Sequence, residues 1–443
     1  MIKTMCNFSR NISIIFIIIG MHIVIGCLAR KSSSSSSNTI SYGNDRTNNK
    51  TNKVEDNGII IVNKDINLNG KEWKLPFNST LVFKGSIIKN GTLIGNNTKI
   101  LCDSNAFDHV TIKGSWNVPI INSTLFVDLS YDNALRDLLA LSNPRVDNWI
   151  KIEKGDYKVT INKEKEACLK LLANTDLVLD GDIHITPNSF SYYDIISLTG
   201  ENINISGNGS VIGDRDNHLG KKGEWGMGIR FHGAVNSSIV GITISECWGD
   251  CIYVGGGSKK VKIENCKLSR GRRQGISITK AEDVNIRNCE ISEVGGKDPQ
   301  FAIDIEPNKD DIINHVTIDH VVVRDCEGGF LVTGEKKDGS SIENIVIKDC
   351  QVSAKTKNPI LIRCCNSATI EGCTIITTQK QTGIIGYRGK NLVIKNNLIE
   401  VKKAQLIATE NVIRNRDNNN VYTPITLKKC ELEVINNNKI VEK

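Results

Sequence analysis

The chain has 443 residues, 39% hydrophobic and 24% charged, with 37 Gly, 8 Pro and a formal net charge of +7. That charge is mild for the length and accompanies no aromatic-rich basic patch, so a nucleic-acid partner is not expected and an anionic one is weakly favoured. Asn-rich turns dilute the apolar content, and many glycines against few prolines suit an exported, soluble, β-rich protein made mostly of corners.

Lys3 and Arg10 precede an apolar run from Ile12 to Ile25. It is too short for a comfortable membrane span and has the layout of a secretory signal. The run ends in Val24-Ile25-Gly26-Cys27, which resembles the bacterial lipobox, where cleavage leaves the cysteine as a lipid-modified N-terminus. Residues 1–26 are therefore expected to be a lipoprotein signal peptide, with Cys27 as the lipidation site. Ser32 to Ser37 and the Asn- and Thr-rich stretch to about residue 56 have almost no apolar content and cannot form a core. Residues 27–57 read as a lipidated flexible tether. Leu28-Ala29-Arg30-Lys31 lack the acidic surface-export pattern found after the cysteine in some lipoproteins, so the expected location is the outer membrane, with its face left open.

Residues 58–443 read as one elongated domain. Gly58 to Val62, Thr80 to Phe83, Leu177-Val178-Leu179 and Ile203-Asn204-Ile205 are early copies of an apolar, variable, apolar triplet. Ala134 to Leu141 is a short amphipathic run, expected to be helical, that precedes Ile150 to Tyr157. From Gly228 to Gly383 the triplet recurs seven times after a small residue, in copies 23 to 30 residues apart beginning at Gly228, Cys251, Gly275, Ala302, Gly329, Pro359 and Gly383. That period holds two or three short strands and their turns, but not a strand plus a crossover helix. A second ladder, Val261-Lys262-Ile263, Val284-Asn285-Ile286, Val316-Thr317-Ile318, Ile345-Val346-Ile347, Ala368-Thr369-Ile370 and Leu392-Val393-Ile394, keeps the same period. The expected fold is all-β: a single-stranded right-handed parallel β-helix of roughly 12 to 15 coils, with Asn and Gly at the corners and a core that only stacking can bury.

Among the 14 cysteines, Cys266 and Cys289 are 23 residues apart, as are Cys350 and Cys373, and all four hold one ladder position. A stacked core row wants small apolar side chains, which is the expectation for these thiols. A disulfide between neighbouring coils is geometrically possible. No Cys-x-x-Cys pair supports zinc.

Because side chains alternate along a strand, the middle residue of each triplet faces outward and forms a surface column. That column runs Arg230, Tyr253, Ser277, Asp304, Leu331 and Leu361, and two residues on it runs His232, Gly255, Thr279, Glu306, Thr333 and Arg363. Asp304 and Glu306, at i and i+2, are expected on one solvent face roughly 6 to 7 Å apart. With Asp250 they can share a calcium ion, or divide acid and base roles in glycoside cleavage. Arg272 and Arg273 precede their strand one coil from Asp250 and can grip a sugar carboxylate bidentately. Asp250, Arg273, Asp304 and Glu306 are thus the catalytic candidates. Arg230, His232, Tyr253, Arg272, Asp214 and Trp225 are the substrate-binding candidates. His218 alone reads as incidental. Asp214, Arg215 and Asp216 lead into a loop from Asn217 to Gly226 expected to overhang the first ladder copy.

The ladder from about residue 58 to 430, the lipobox and the segment from Ala134 to Tyr157 resemble exported right-handed β-helix proteins of the pectate-lyase superfamily, in which that segment is similar to the N-terminal helical cap and first coil. Asn204 to Asp216 is similar to the stretch that opens the substrate cleft in polygalacturonases. The polygalacturonase pattern would have two adjacent Asp where Gly249-Asp250-Cys251 stands and Gly-His-Gly where Gln274-Gly275 stands; only Asp250 matches. The resemblance implies an enzyme, expected to be a monomer, that cleaves an acidic, uronate-containing polysaccharide by β-elimination, with calcium or arginine neutralising the uronate carboxylate. Arg273, Arg230, Tyr253 or His232 would act as base or clamp. The alternatives are a glycoside hydrolase using Asp304 and Glu306, or Asp250 with one of them, as acid and base, and a non-catalytic glycan-binding or adhesive β-helix.

Overall fold

Each triplet of the first ladder becomes a short strand, because two inward apolar residues per copy can be buried only against the copies before and after it. In the computed structural model, which describes residues 58–334, 339–378, 381–401 and 424–442, these strands stack in parallel. The signal segment, Cys27 and the tether lie outside the described residues. The stack forms a ten-stranded sheet: β1 (Glu166–Leu171), β2 (Tyr192–Leu198), β3 (Trp225–His232), β4 (Ile252–Gly255), β5 (Ile276–Ile278), β6 (Phe301–Ile305), β7 (Gly328–Thr333), β8 (Ile360–Arg363), β9 (Ile384–Tyr387) and β10 (Ile425–Lys428). Its register puts Ile229, Ile252, Ile276, Ile303, Phe330, Ile360, Ile384 and Ile425 in one inward column.

The second ladder forms a twelve-stranded sheet in equally regular parallel register. A third wall of eleven strands closes each coil. Several of its strands have three residues, such as Thr243–Ser245, Lys267–Ser269 and Glu290–Ser292, each burying one side chain: Ile244, Leu268 and Ile291. One buried residue leaves no periodicity to read, so the two ladders implied at least two strands per turn where the structure has three. Parallel strands of one sheet joined by these connections wind right-handed, giving a right-handed parallel β-helix.

Ahead of the regular coils, a six-stranded sheet holds two long paired strands, Ile88–Leu101 and Phe107–Trp116. The helix α1, Ala134–Leu139, then packs Leu135 and Leu138 into the core, which bears out the amphipathic reading of this segment. Within it, buried Asp137 accepts a hydrogen bond from the Ile112 N–H at 2.9 Å, and burial pushes its carboxyl up to about 6.

The corners are as local as the strands. Gly241, Asn265, Asn288, His320, Asp349, Gly372, Asn396 and Asn437 all have φ between 51 and 82°, the left-handed region in which Gly and Asn are least strained. The residue after each turns inward, and there Cys266, Cys289, Cys350 and Cys373 are buried as expected. Their thiols donate to strand carbonyls: Cys373 Sγ to Glu371 O at 3.4 Å and Ile347 O at 3.8 Å. In the next coil the amide of Asn397 does the same work, donating to Ile370 O at 3.0 Å. The described cysteines are free thiols.

Candidate functional site

The outward face of the ten-stranded sheet carries the expected column, Arg230, Tyr253, Ser277, Asp304, Leu331 and Leu361 in direct register. Outward does not mean exposed here. Asp304 is 2% exposed and Asp250 0%, because the segments that enter successive strands fold back over the face. The solvent-facing position expected of Asp304 is therefore corrected.

Asp250 Oδ2 accepts from Ser277 Oγ at 2.7 Å, and Arg273 Nη1 donates to both Asp250 oxygens at 3.4 and 3.2 Å. Gln274 bridges to the next coil, donating through Nε2 to Asp304 Oδ2 at 2.7 Å and accepting from the Phe301 N–H at 2.8 Å. Asp304 Oδ1 is buried and makes no hydrogen bond. Burial pushes the Asp304 carboxyl well above the usual carboxylate range, reinforced by the charges of Glu306 and Asp250 and opposed by Arg273. Burial raises Asp250 to about 6, with Arg273 and the Ser277 hydroxyl pulling the other way. Arg273 is itself largely buried, which works against its charge, but Asp250, Asp304, Glu224 and Glu306 outweigh that and hold its pKa up. Its side chain keeps 17% of its surface exposed. Glu306 follows directly on β6 and is exposed, so of the Asp304 and Glu306 pair only Glu306 reaches solvent.

Calcium ligation is not what this arrangement favours, since the guanidinium of Arg273 already lies against Asp250. Among the described residues, the set of carboxylate and imidazole atoms lying within 4.8 Å of one another is Asp319, His320 and Asp349, on a different wall.

Upstream, Arg230 sits 4.5 Å over the ring of Tyr253 and 5.0 Å over that of Tyr192, with Nη1 3.5 Å from Asp194 Oδ1. Burial lowers its pKa, while Tyr253 and Asp250 act to raise it. The Tyr253 hydroxyl is 2.8 Å from Thr279 Oγ1. His232 is exposed at the end of β3, its ring held below the usual imidazole range by partial burial and by Arg230. Trp225 is 45% exposed and meets Tyr192 edge-on, ring centroids 6.4 Å apart.

Two substrate-binding candidates face the protein instead. Asp214 is buried: its Oδ1 accepts from the Tyr193 hydroxyl, and its Oδ2 from the Asn188 backbone N–H and Nδ2 at 3.1 and 3.0 Å. The same oxygen is 2.9 Å from His218 Nδ1. The His218 ring, with no exposed surface, stacks on Trp248 at 4.0 Å, and Arg272 lies 3.6 Å over the Trp248 ring. Arg272 Nη1 also donates to Gly223 O and Trp248 O, both at 3.2 Å. This stack pins the loop after Asp214 to the segments bearing Asp250 and Arg273. Arg215, ahead of the loop, reaches Gly295 O at 2.9 Å, and the loop itself lies against the segment before β2, the Leu219 N–H donating to Asn188 O at 2.8 Å. His218 is thus structural rather than incidental, and Arg272 is committed to Trp248. Sequence reasoning missed Asp194 and Tyr192, although the apolar alternation through Ile196 and Leu198 extends the ladder back to them. It also passed over Gln274, which carries no charge to mark it.

Residues 180–344 match the family model described as a right handed beta helix region. The SPbeta prophage-derived uncharacterized protein YorA of Bacillus subtilis (strain 168) is 31% identical over 188 residues, 35% of this chain and 32% of that one. The uncharacterized protein YclG of the same organism is 34% identical over 155 residues, 30% of this chain and 26% of that one. The chain thus spans a third or less of the length of these relatives. Among solved structures, the A-module of the Azotobacter vinelandii mannuronan C-5 epimerase AlgE6 superposes with a TM-score of 0.53 at 13% identity, covering 72% of this chain and 95% of that one. The tailspike protein of E. coli bacteriophage HK620, in complex with a pentasaccharide, gives 0.51 at 13% identity, covering 71% and 60%. At such identities the likeness is one of fold.

Proposed function

We propose that this right-handed parallel β-helix is an enzyme that cleaves an acidic, uronate-containing polysaccharide by β-elimination. The observation that carries this reading is Arg273: a cation with 17% of its side chain exposed, held by a fully buried carboxylate, Asp250. A guanidinium held in this way can pair with a uronate carboxylate and so acidify the proton on the adjacent carbon. One coil away Tyr253 offers the base, its hydroxyl 2.8 Å from Thr279 Oγ1 and its ring covered by the Arg230 guanidinium. The proton passes from C5 to the Tyr253 oxygen, the C4–O bond breaks as the C4=C5 double bond forms, and the same hydroxyl returns a proton to the departing sugar oxygen.

One observation favours a second reading, hydrolysis. Asp304 keeps a buried oxygen free of hydrogen bonds and a raised pKa, as a general acid would, with Glu306 two residues on as base. Incubation with a panel of uronate polysaccharides separates the two. Elimination gives the ultraviolet absorbance of the unsaturated uronate; new reducing ends without it sink elimination and leave hydrolysis. No new ends on any member of the panel leave only binding. Activity through Arg273 should survive chelation of calcium, whereas a calcium-assisted lyase would lose it. Delivery belongs to the same proposal: Cys27→Ser should abolish incorporation of labelled fatty acid and release the protein from the membrane.

A further inference from the structure

We propose that Trp225 and Tyr192, with Arg230, form a separate sugar-binding platform that holds a uronate residue of the polymer away from the reacting centre, so that the chain lies along the β-helix axis. The inference rests on the reading of this face as a uronate-polysaccharide site. Trp225 and Tyr192 are register partners in β3 and β2, their rings meet edge-on, and Trp225 keeps 45% of its surface exposed. An exposed indole beside a half-buried arginine is the pairing a uronate needs, with an apolar ring face for its C–H bonds and a planar fork of donors for its carboxylate. Tyr192 lies between the two, 6.4 Å from Trp225 by ring centroid and 5.0 Å from the Arg230 guanidinium. Arg230 still has a donor to give, since Asp194 is approached only by Nη1, while Nε is buried. Its guanidinium also covers Tyr253, so the platform runs without a break into the proposed centre.

The coils fix the direction. Trp225 belongs to β3, while Arg273 leads into β5, two coils further on and about 10 Å along the axis at one strand spacing per coil. A 1,4-linked pyranose chain advances by a similar distance per residue as one coil, so a polymer on this face would place successive sugars over successive coils. Short oligomers held at Arg273 would fail to reach Trp225, and longer ones would reach it.

The test is equilibrium binding, by calorimetry, of galacturonate and mannuronate oligomers from disaccharide to hexasaccharide to the wild type, Trp225→Ala and Trp225→Phe, alongside turnover of the same oligomers. Wild-type affinity should climb with length. Trp225→Ala should lose about tenfold on the longest oligomers and nothing on the disaccharide, and Trp225→Phe should recover most of the loss. Equal affinity of wild type and Trp225→Ala at every length overturns the platform, as does failure of any uronate oligomer to bind the wild type. An equal loss on neutral glucan oligomers overturns its acidic specificity. Length-dependent binding through Trp225 without any cleavage would keep the platform and remove the enzyme. Cleavage unaffected by Trp225→Ala at all lengths would do the reverse.

Discussion

Asp304 and Asp250 are both acids, both buried and two coils apart, yet they answer to different partners. Burial pushes the Asp304 carboxyl well above the usual carboxylate range, and the hydrogen bond it accepts from Gln274 is one that an amide oxygen accepts equally well. Asp304→Asn should therefore change the melting temperature little, whereas Asp304→Ala, which empties a packed site, should cost about 1–3 kcal/mol. The Asn variant also separates the two chemistries: elimination through Arg273 and Tyr253 should survive it, and hydrolysis with Asp304 as acid should fall by at least about a hundredfold. Asp250 works only when ionised, because it holds Arg273. Raised to about 6 from the ordinary carboxylate value, it should give a rate that climbs as pH rises through 6, measured as kcat/KM on the best polymer of the panel; a flat profile between pH 5 and 7 would count against Asp250 as the anchor. Stability linked to this group runs the other way. The fold favours its protonated form, so that contribution is complete at low pH and lost as pH rises through about 6. Arg230, Tyr253 and Asp304 could be read from the middle column of the triplets, and Asp250 and Arg273 from their place just ahead of successive strands. Their burial could not be read, because Asp304 is covered by Gln274 and its neighbours from another coil, and no pattern within its own strand reports that. Asp214 went astray for the same reason: Tyr193 and Asn188, which enclose it, come from the preceding coil.

At the level of strands and corners, both long ladders appear in the structure at the residues the periodicity marks. The third wall escaped because strands such as Lys267–Ser269 bury one residue each. Corners were legible where Asn or Gly marks them, as at Asn265 and Gly372, and hidden where an ordinary residue is forced into the same conformation. Lys260 is such a case, exposed with φ at 54° in a column whose neighbours at the same turn include Asn236 and Asn344. Lys260→Gly should relieve this strain and stabilise the protein by about 0.5–1 kcal/mol, visible as a shift in the denaturant midpoint at constant m. A destabilised variant would show that the Lys260 side chain contributes more than its backbone costs. The loop after Asp214 carries no period, so its anchoring through His218 and Trp248 could not be read from the sequence.

The molecule as a whole is a column of nearest-neighbour contacts, with a cap legible in Ala134 to Leu141 at one end and, at the other, a last described coil that leaves Val434, Ile435 and Ile440 exposed. Among the described residues no helix is long and apolar enough to cross a membrane. The wall hydrogen bonds run between coils, along the long axis, while the covalent chain runs around it. A load applied between the two ends of the column would therefore open these bonds a coil at a time, like a zipper, instead of shearing a whole sheet at once. Each coil of 23 to 30 residues would release roughly 80 to 110 Å of chain, so that a protein tethered to a surface while gripping a polymer would yield to pulling in steps.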